Sequence, residues 1–452
     1  MTAPLWWDDA DHTVRRPALT GDVEADVVVV GGGFTGLWTA FHLQRLDPSL
    51  RVVVLEAEHV GFGASGRNGG WVSALYPVGL DTIAKEHGTA ATHELVAALR
   101  ESVDDLGALA ADEGIDCGFR KGGSVVVARG PAQVASARAG MADDARWGLP
   151  TVWLDGPAAR ERLQGNGVDA ATWTPDCARI HPYALVRGLA AAVERRGATV
   201  YEGTRVLALE PGRVATSGGA VVRARHVLRA TEAWTPSLPG SERDVVPVYS
   251  LVVATEPLPA ALWSQIGLSQ HETFSEHRHL VVYGQRTTDD RLVFGGRGAP
   301  YHLGSGVRSA YDDDPTVHAG LRRTLLELLP GLPRDTAFTH AWGGPLGIAR
   351  DWHPSVRHDP ETGLGSAGAY VGDGVALSQL AGRALAELVT GRASRAATLP
   401  FVGHRSRRWE PEPLRWLGVS AGLRLAELAD TEESRTERPA RLSRLLGRLT
   451  GH

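Results

Sequence analysis

The chain has 452 residues, 43% hydrophobic and 22% charged, with a formal net charge of -5. That length gives room for two or three cores, and no apolar run reaches the roughly 18 residues of a membrane span. No basic excess gathers in the main body, which excludes nucleic acid as a partner. Cys117 and Cys177 are too few for a disulfide framework or a zinc site, so no metal is expected.

Met1 to Glu24 is polar and acidic and lacks the basic-then-apolar order of a signal peptide, so a cytoplasmic location is expected. Asp26 to Val30 is a short apolar run suited to a strand buried on both faces. After Gly31-x-Gly33-x-x-Gly36, residues Phe34 to Leu46 read as a helix, and Arg51 to Leu55 as a second strand ending at Glu56. Strand, turn, helix and strand in about thirty residues make one βαβ unit. Gly61 to Gly70 is too glycine-rich for a regular element.

A single long helix is predicted over Leu80 to Glu113, then a strand at Ser124 to Ala128 and a helix at Pro182 to Arg196. Short strands follow to Ala230, and β-rich runs fill Pro247 to Phe294 around a helical Leu258 to Gln265. Pro315 to Leu329 is helical. Leu364 to Tyr370 is a strand, and Gly372-Asp373-Gly374 opens a helix to about Val389. Leu414, Leu417, Leu425 and Leu428 predict an amphipathic helix in an arginine-rich tail, packed on the body by that face.

Gly31 permits the turn, Gly33 lets the backbone approach a pyrophosphate, and Gly36 lets the helix pack on the sheet. The first turn, Phe34 and Thr35 included, then offers free N–H groups to phosphate. Glu56 lies 20 residues beyond Gly36, placed to accept ribose hydroxyls, and Ala57 follows it where a 2′-phosphate would call for arginine. NADP is thereby disfavoured. Two further stretches favour FAD over NAD. The loop Ala64, Ser65, Gly66, Arg67, Asn68, Gly69, Gly70 can wrap a long cofactor, and a second helix N-terminus at Gly372, Asp373, Gly374, Val375 and Ala376 is one a flavin needs.

These three motifs resemble the D-amino-acid-oxidase-like family, most of all its γ-glutamylputrescine oxidoreductase branch. The resemblance covers about Trp6 to Arg392. It implies an α/β fold of two domains: a Rossmann-like FAD-binding domain of the glutathione-reductase/p-hydroxybenzoate-hydroxylase type, interleaved with a mixed-sheet substrate domain. The expected division is 25–80, 155–235 and 345–392 for FAD, 81–154 and 236–344 for substrate, and 393–452 for the helical tail. It also implies backbone contact of Val206 with adenine and a strand-end crossing at Ala230-Thr231, where Glu232 stands in place of a glycine. Arg67 occupies about the place of the histidine that binds flavin covalently in some relatives, and neither cysteine is close in sequence to the 372 turn, so FAD is expected to be non-covalent.

The activity implied is oxidation of a C–N bond by hydride transfer to flavin N5, with hydrolysis of the imine and reoxidation by oxygen or another acceptor. Relatives clamp a substrate carboxylate with an arginine in a stretch matching Trp342 to Pro354, where that arginine is missing. An amine is therefore favoured over a free α-amino acid, with Arg350 or Arg297 as the alternative clamp of an amino-acid oxidase. Arg67, Tyr249, Trp342 and His353 are the candidate catalytic residues: a loop cation, two rings (with Trp352) that could wall an amine pocket, and a candidate base. Tyr249 and Trp342 read equally as core, and His353 as a positional histidine. Neither lysine, Lys85 or Lys121, stands where relatives place one for oxygen reactivity. A regulatory flavoprotein using the tail as its contact surface is the reading from another class. The sequence carries no marker of oligomeric state.

Overall fold

The computed structural model describes residues 3–8, 15–296, 298–392 and 394–440. Its first sheet grows from β1 (Val23–Val30), whose last four residues are fully buried valines. β1 lies parallel between β2 (Val52–Leu55) and β11 (Val221–Arg229). β8 (Thr199–Tyr201) extends one side, β18 (Leu364–Gly368) the other, and antiparallel β17 (Ser355–His358) ends the row. A ribbon of β9 (Val206–Glu210) and β10 (Arg213–Thr216) branches from β11. Helices α1 (Phe34–Leu46), α6 (Pro182–Arg195) and α9 (Gly374–Thr390) share one core with this sheet.

The second sheet runs in the order β16 (Phe338–Ile348), β12 (Val246–Thr255), β15 (Leu292–Gly296), β14 (Val282–Arg286), β13 (Thr273–Glu276), β4 (Ser124–Arg129), β6 (Val168–Thr174), β5 (Val152–Asp155). Only the β13–β4 pair in it is parallel, so the sheet is mixed. α5 (Gly156–Arg162), α7 (Ala260–Ile266) and α8 (Pro315–Leu328) pack on its outer face, while α4 (Gly130–Arg146) lies beside β4 and β6. Between the sheets a short antiparallel pair, β3 (Trp71–Ser73) with β7 (Cys177–Arg179), follows the glycine-rich loop.

Several elements differ from the sequence expectation. The long helix is two, α2 (Leu80–His87) and α3 (Thr89–Asp112), broken at Gly88, whose φ of 86° ends the first. α3, expected with the substrate half, packs against α9 because Leu95, Leu99, Val103 and Leu106 line one face. β6, inside the expected cofactor segment 155–235, joins the second sheet through β4. A short strand's own pattern does not name its sheet.

The tail helix α10 (Leu414–Thr436) forms, but its leucine stripe is not the docking face. Leu414, Leu417 and Leu428 are more than half exposed, whereas Arg415, Ala426 and Ala429 are buried. Polar contacts attach it: Asp430 accepts the His279 and Leu280 N–H groups and pairs with Arg278. Residues 393 and 441–452 of the expected tail lie outside the described residues. Among the described residues no helix is long and apolar enough to cross a membrane.

Candidate functional site

The chain leaves β1 through Gly31, whose φ is 115° and whose missing side chain admits Ala230 of the neighbouring strand end; a Cβ there would sit 2.3 Å from the Ala230 carbonyl oxygen. At Gly36 a Cβ would lie 2.0 Å from the Gly31 carbonyl oxygen, so only glycine lets α1 start this close to β1. The result is a trench lined by Gly31, Gly33, Phe34, Thr35, Glu56, Ala57, Ala64, Ser65, Val206, Thr231 and Glu232. Gly36 lies beneath it. The Thr35 and Gly36 N–H groups belong to the first turn of α1, where no intrahelical acceptor exists. The Phe34 N–H is taken by the Ser65 hydroxyl at 2.8 Å.

Glu56 closes the trench at the end of β2. Its two oxygens accept the backbone N–H groups of Gly32 (2.7 Å) and Glu58 (2.9 Å). Burial pushes this carboxyl up, opposed by those two hydrogen bonds. Each oxygen keeps a lone pair for a hydroxyl donor. Ala57 brings no cation beside it, and Arg205, which also lines the trench, is paired with Glu58 at 2.8 Å, which suits an unphosphorylated ribose.

The loop after Ala64 is held by three indoles. Trp7 donates to the Gly66 carbonyl (3.1 Å), Trp342 to that of Arg67 (2.8 Å) and Trp6 to that of Asn68 (2.8 Å). Asn68 works within the loop as well: its amide donates to the Ala64 and Ser65 carbonyls and accepts the Gly70 N–H. The Gly70 carbonyl in turn accepts from Ile180. Arg67 is buried, 2.6 Å from Asp312, and lies over the Phe62 ring with its Nε lacking any partner among the described residues. Burial outweighs the Arg67 charge and raises the Asp312 carboxyl.

The second helix start is braced from the far side of the sheet. Glu232 has a φ of 42°, the left-handed conformation a glycine would take there, and its carboxyl accepts the Ala369 (3.3 Å) and Tyr370 (3.2 Å) N–H groups. The Thr35 hydroxyl donates to the Tyr370 hydroxyl at 3.1 Å, which ties the first helix start to the second. Gly374, Val375 and Ala376 open α9 with free N–H groups; the Ala376 side chain itself is fully buried in the core.

The trench continues past Ala64 into a cavity of about 470 Å³ between the sheets. Arg67, Asn68, Gly69, Gly372, Asp373 and Val375 line it on the cofactor side. The opposite walls come from residues that the sequence did not single out: Trp71, Tyr283, Ser250, Leu346, Asp144 and His277. Tyr283 rests against Gly69, and its hydroxyl lies 2.9 Å from the Ser250 hydroxyl. Burial holds His277 down to about 4, so its ring is neutral at pH 7.

Three of the four catalytic candidates do not line this cavity. Tyr249 points into the second-sheet core, since the pleat of β12 turns its neighbours Ser250 and Val252 inward instead. Trp342 is one pleat beyond the cavity, against Trp6 and the Arg67 carbonyl. His353 is 2% exposed in the β16–β17 turn, away from the cavity. Trp352 also lies elsewhere, packed against the cluster around Trp409. Arg350 pairs with Glu410 outside the cavity, and Arg297 lies outside the described residues. The alternation of Ser250, Val252 and of Gly344, Leu346 was readable; which parity faced inward was not.

A glycine-cradled trench with two converging helix starts, opening into a walled cavity under a mixed sheet, defines a two-domain dinucleotide-dependent redox protein. The unpaired Arg67 Nε and the free N–H groups at both helix starts fit an anionic, extended cofactor. The chain belongs to the DAO family, described as FAD dependent oxidoreductase, which matches residues 26–388. FAD is its cofactor. It is similar to the γ-glutamylputrescine oxidoreductase of Escherichia coli, 30% identical over 419 residues, covering 90% of this chain and 95% of that one. It is also 30% identical over 388 residues to the probable oxidoreductase OrdL of Rhizobium meliloti, covering 84% and 86%. In fold it matches the crystal structure of glycine oxidase from Geobacillus kaustophilus, with a TM-score of 0.71 and 24% identity over 85% of this chain and 99% of that one.

Proposed function

We propose that this protein oxidises the C–N bond of an amine, the imine product hydrolysing to a carbonyl compound. The observation that carries the reading is the charge of the cavity wall. Asp144, Asp176 and Asp373 line it; Asp176 is paired with Arg100 at 2.6 Å, and the one guanidinium among its described residues, Arg67, is already paired with Asp312. An α-carboxylate would find two further acidic neighbours, Asp144 and Asp373, and no free bidentate partner. An ammonium or amine finds acceptors and the ring faces of Trp71 and Tyr283. Relatives named for γ-glutamylputrescine and for glycine both support chemistry at carbon next to nitrogen.

FAD supplies the two-electron acceptor. The chain supplies position and dryness: the indole-held loop, the Tyr283–Ser250 pair and the aliphatic wall of Val126, Val252 and Leu346 confine the substrate. FAD is held without a covalent bond in this reading. Cys177, although far in sequence from Gly372, lines the same cavity. Its thiol is pushed up to about 12 by burial and lies 3.3 Å from the Thr273 hydroxyl, which keeps it protonated and a poor nucleophile.

The test is anaerobic bleaching of the flavin band at about 450 nm, with an amine panel beside D- and L-amino-acid panels. Amines should bleach it within seconds and amino acids should not; the reverse pattern overturns the proposal. Acid precipitation should release the yellow colour into solution.

A further inference from the structure

His353 has no place in the cavity, yet its surroundings are those of a ligand. Its Nδ1 lies 2.6 Å from the Pro354 carbonyl oxygen, so Nδ1 carries the hydrogen and donates it. That fixes the tautomer and leaves Nε2 as a lone-pair donor. Nε2 is buried and has no hydrogen-bond partner among the described residues. The ring cannot turn away from this position: it stacks on His404 with centroids 3.7 Å apart and meets the edge of Tyr76 at 5.8 Å. His404 is itself held by Asp351 at 2.9 Å, and Asp351 also accepts the His353 N–H.

A buried acceptor left unpaired is unfavourable, and two side chains on the last turn of α2 bring ligand atoms to it. One ligand atom each from Glu86, His87 and His353 lie within 4.8 Å of one another. We propose that Glu86, His87 and His353 form a site for one divalent transition-metal ion of the zinc class, distinct from the FAD site. Two imidazoles and a carboxylate are the ligand set such ions take, with water completing the tetrahedron.

Metal–ligand bonds of about 2.0–2.2 Å place donor atoms roughly 3.3–3.5 Å apart. Glu86 and His87 are exposed and 4.0 Å from each other, so they close the remaining gap by side-chain rotation. The Tyr76 hydroxyl, a second buried atom without a partner among the described residues, belongs to the same cluster. An ion here would tie the end of α2 to the β16–β17 turn. The tied segment begins beside Ala74 and Leu75, which line the cavity.

The experiment is calorimetric titration of Zn²⁺ into tag-free, FAD-loaded protein stripped with a chelator, with thermal melts alongside. One ion per chain should bind with a dissociation constant in the micromolar range or tighter, and Tm should rise by several degrees. His87→Ala and His353→Gln should each weaken binding more than tenfold with the flavin spectrum unchanged. His87 is exposed, so its variant carries the test even if the His353 variant fails to fold. Absence of a stoichiometric site, or binding that His87→Ala leaves unaltered, overturns the proposal.

Discussion

The trench and the cavity that meet at Ala64 are made of different material. The trench is largely backbone: three glycines, the start of α1 and two strand ends, with Glu56 among its side chains. The cavity is largely side chains, drawn from β3, β4, α4, β6, β7, β12, β13, β14 and β16, elements that lie far apart in sequence. A backbone-built site allows little variation, because each of its positions is set by close contact of main chain with main chain. A site built from side chains on many elements can change its substrate by single substitutions while the fold stays as it is.

The comparison is broken most directly at Gly36. A Cβ would sit 2.0 Å from the Gly31 carbonyl oxygen, backbone on both sides, with nothing flexible to yield. Gly36→Ala should force the α1 start off the sheet, at roughly 1–3 kcal/mol or more, and give protein depleted of flavin by its visible absorbance. Leu346→Ala, a larger change in volume, should keep the full flavin content and alter only the amines accepted. Equal flavin loss in the two variants would erase the distinction.

At Asp312 the cavity itself can be converted. Asp312→Asn leaves Arg67 buried without its partner, which destabilises by about 3 kcal/mol but frees the guanidinium for a carboxylate. The ratio of kcat/KM for amines to that for α-amino acids should fall at least tenfold, roughly 1.4 kcal/mol. An unchanged ratio means that Arg67 does not reach the substrate. The loop that carries Arg67 depends on indoles from outside it, so Trp342→Phe should orphan the Arg67 carbonyl and lower stability by about 1–2 kcal/mol. Trp7→Phe, at a partly buried bond, should lower it less.

Glu232 is where the trench departs from an all-glycine plan, and it makes the trench sensitive to pH. Burial raises its carboxyl from 4.5 to about 7, against the two N–H groups it accepts. The folded protein therefore keeps a proton that the unfolded chain has lost above about pH 4.5. This contribution to stability is complete below pH 4.5 and disappears as pH rises through about 7. Melts of wild type should show Tm falling between pH 5 and 8 more steeply than those of Glu232→Gln; parallel curves would remove Glu232 from the account.

The same division governs what could be read from the sequence. Backbone demands leave glycines at fixed spacing, so the trench and the second helix start were legible; the mixed-sheet architecture came only through the family resemblance those motifs carry. The cavity was not legible, because a strand's pattern gives two faces without saying which is inward. Tyr249 was chosen where Ser250 faces the cavity; Trp342 has the parity of Gly344 and Leu346 but lies one pleat beyond the cavity's end, which the pattern does not mark either. Asn68 and Ser65 were read as part of a loop that wraps the cofactor; that both also hold the loop in place was not legible. Trp6, Trp7 and Trp342 gave no signal of acting together, since the loop joins them only in three dimensions. Cys177 shows the same limit, distant from Gly372 along the chain and beside it in the cavity.

Asp144 offers the finest test of the cavity's side-chain character. It is half-buried in the cavity wall, and no cation among the described residues pairs with it. Burial raises its carboxyl, and the adjacent Asp143 adds to this, while Thr151 opposes it with a hydrogen bond. A carboxylate so placed can serve a second ammonium on the substrate, one that takes no part in the oxidation. If it does, Asp144→Asn should raise KM for a diamine about fivefold, near 1 kcal/mol for one partly solvated ion pair. KM for the monoamine of equal chain length, and kcat for both, should stay unchanged, because only ground-state and transition-state binding of the remote charge is lost. Equal losses for diamine and monoamine would mean that Asp144 shapes the wall and does not read charge. The trench has no comparable position: none of its contacts can be altered for one substrate and left intact for another.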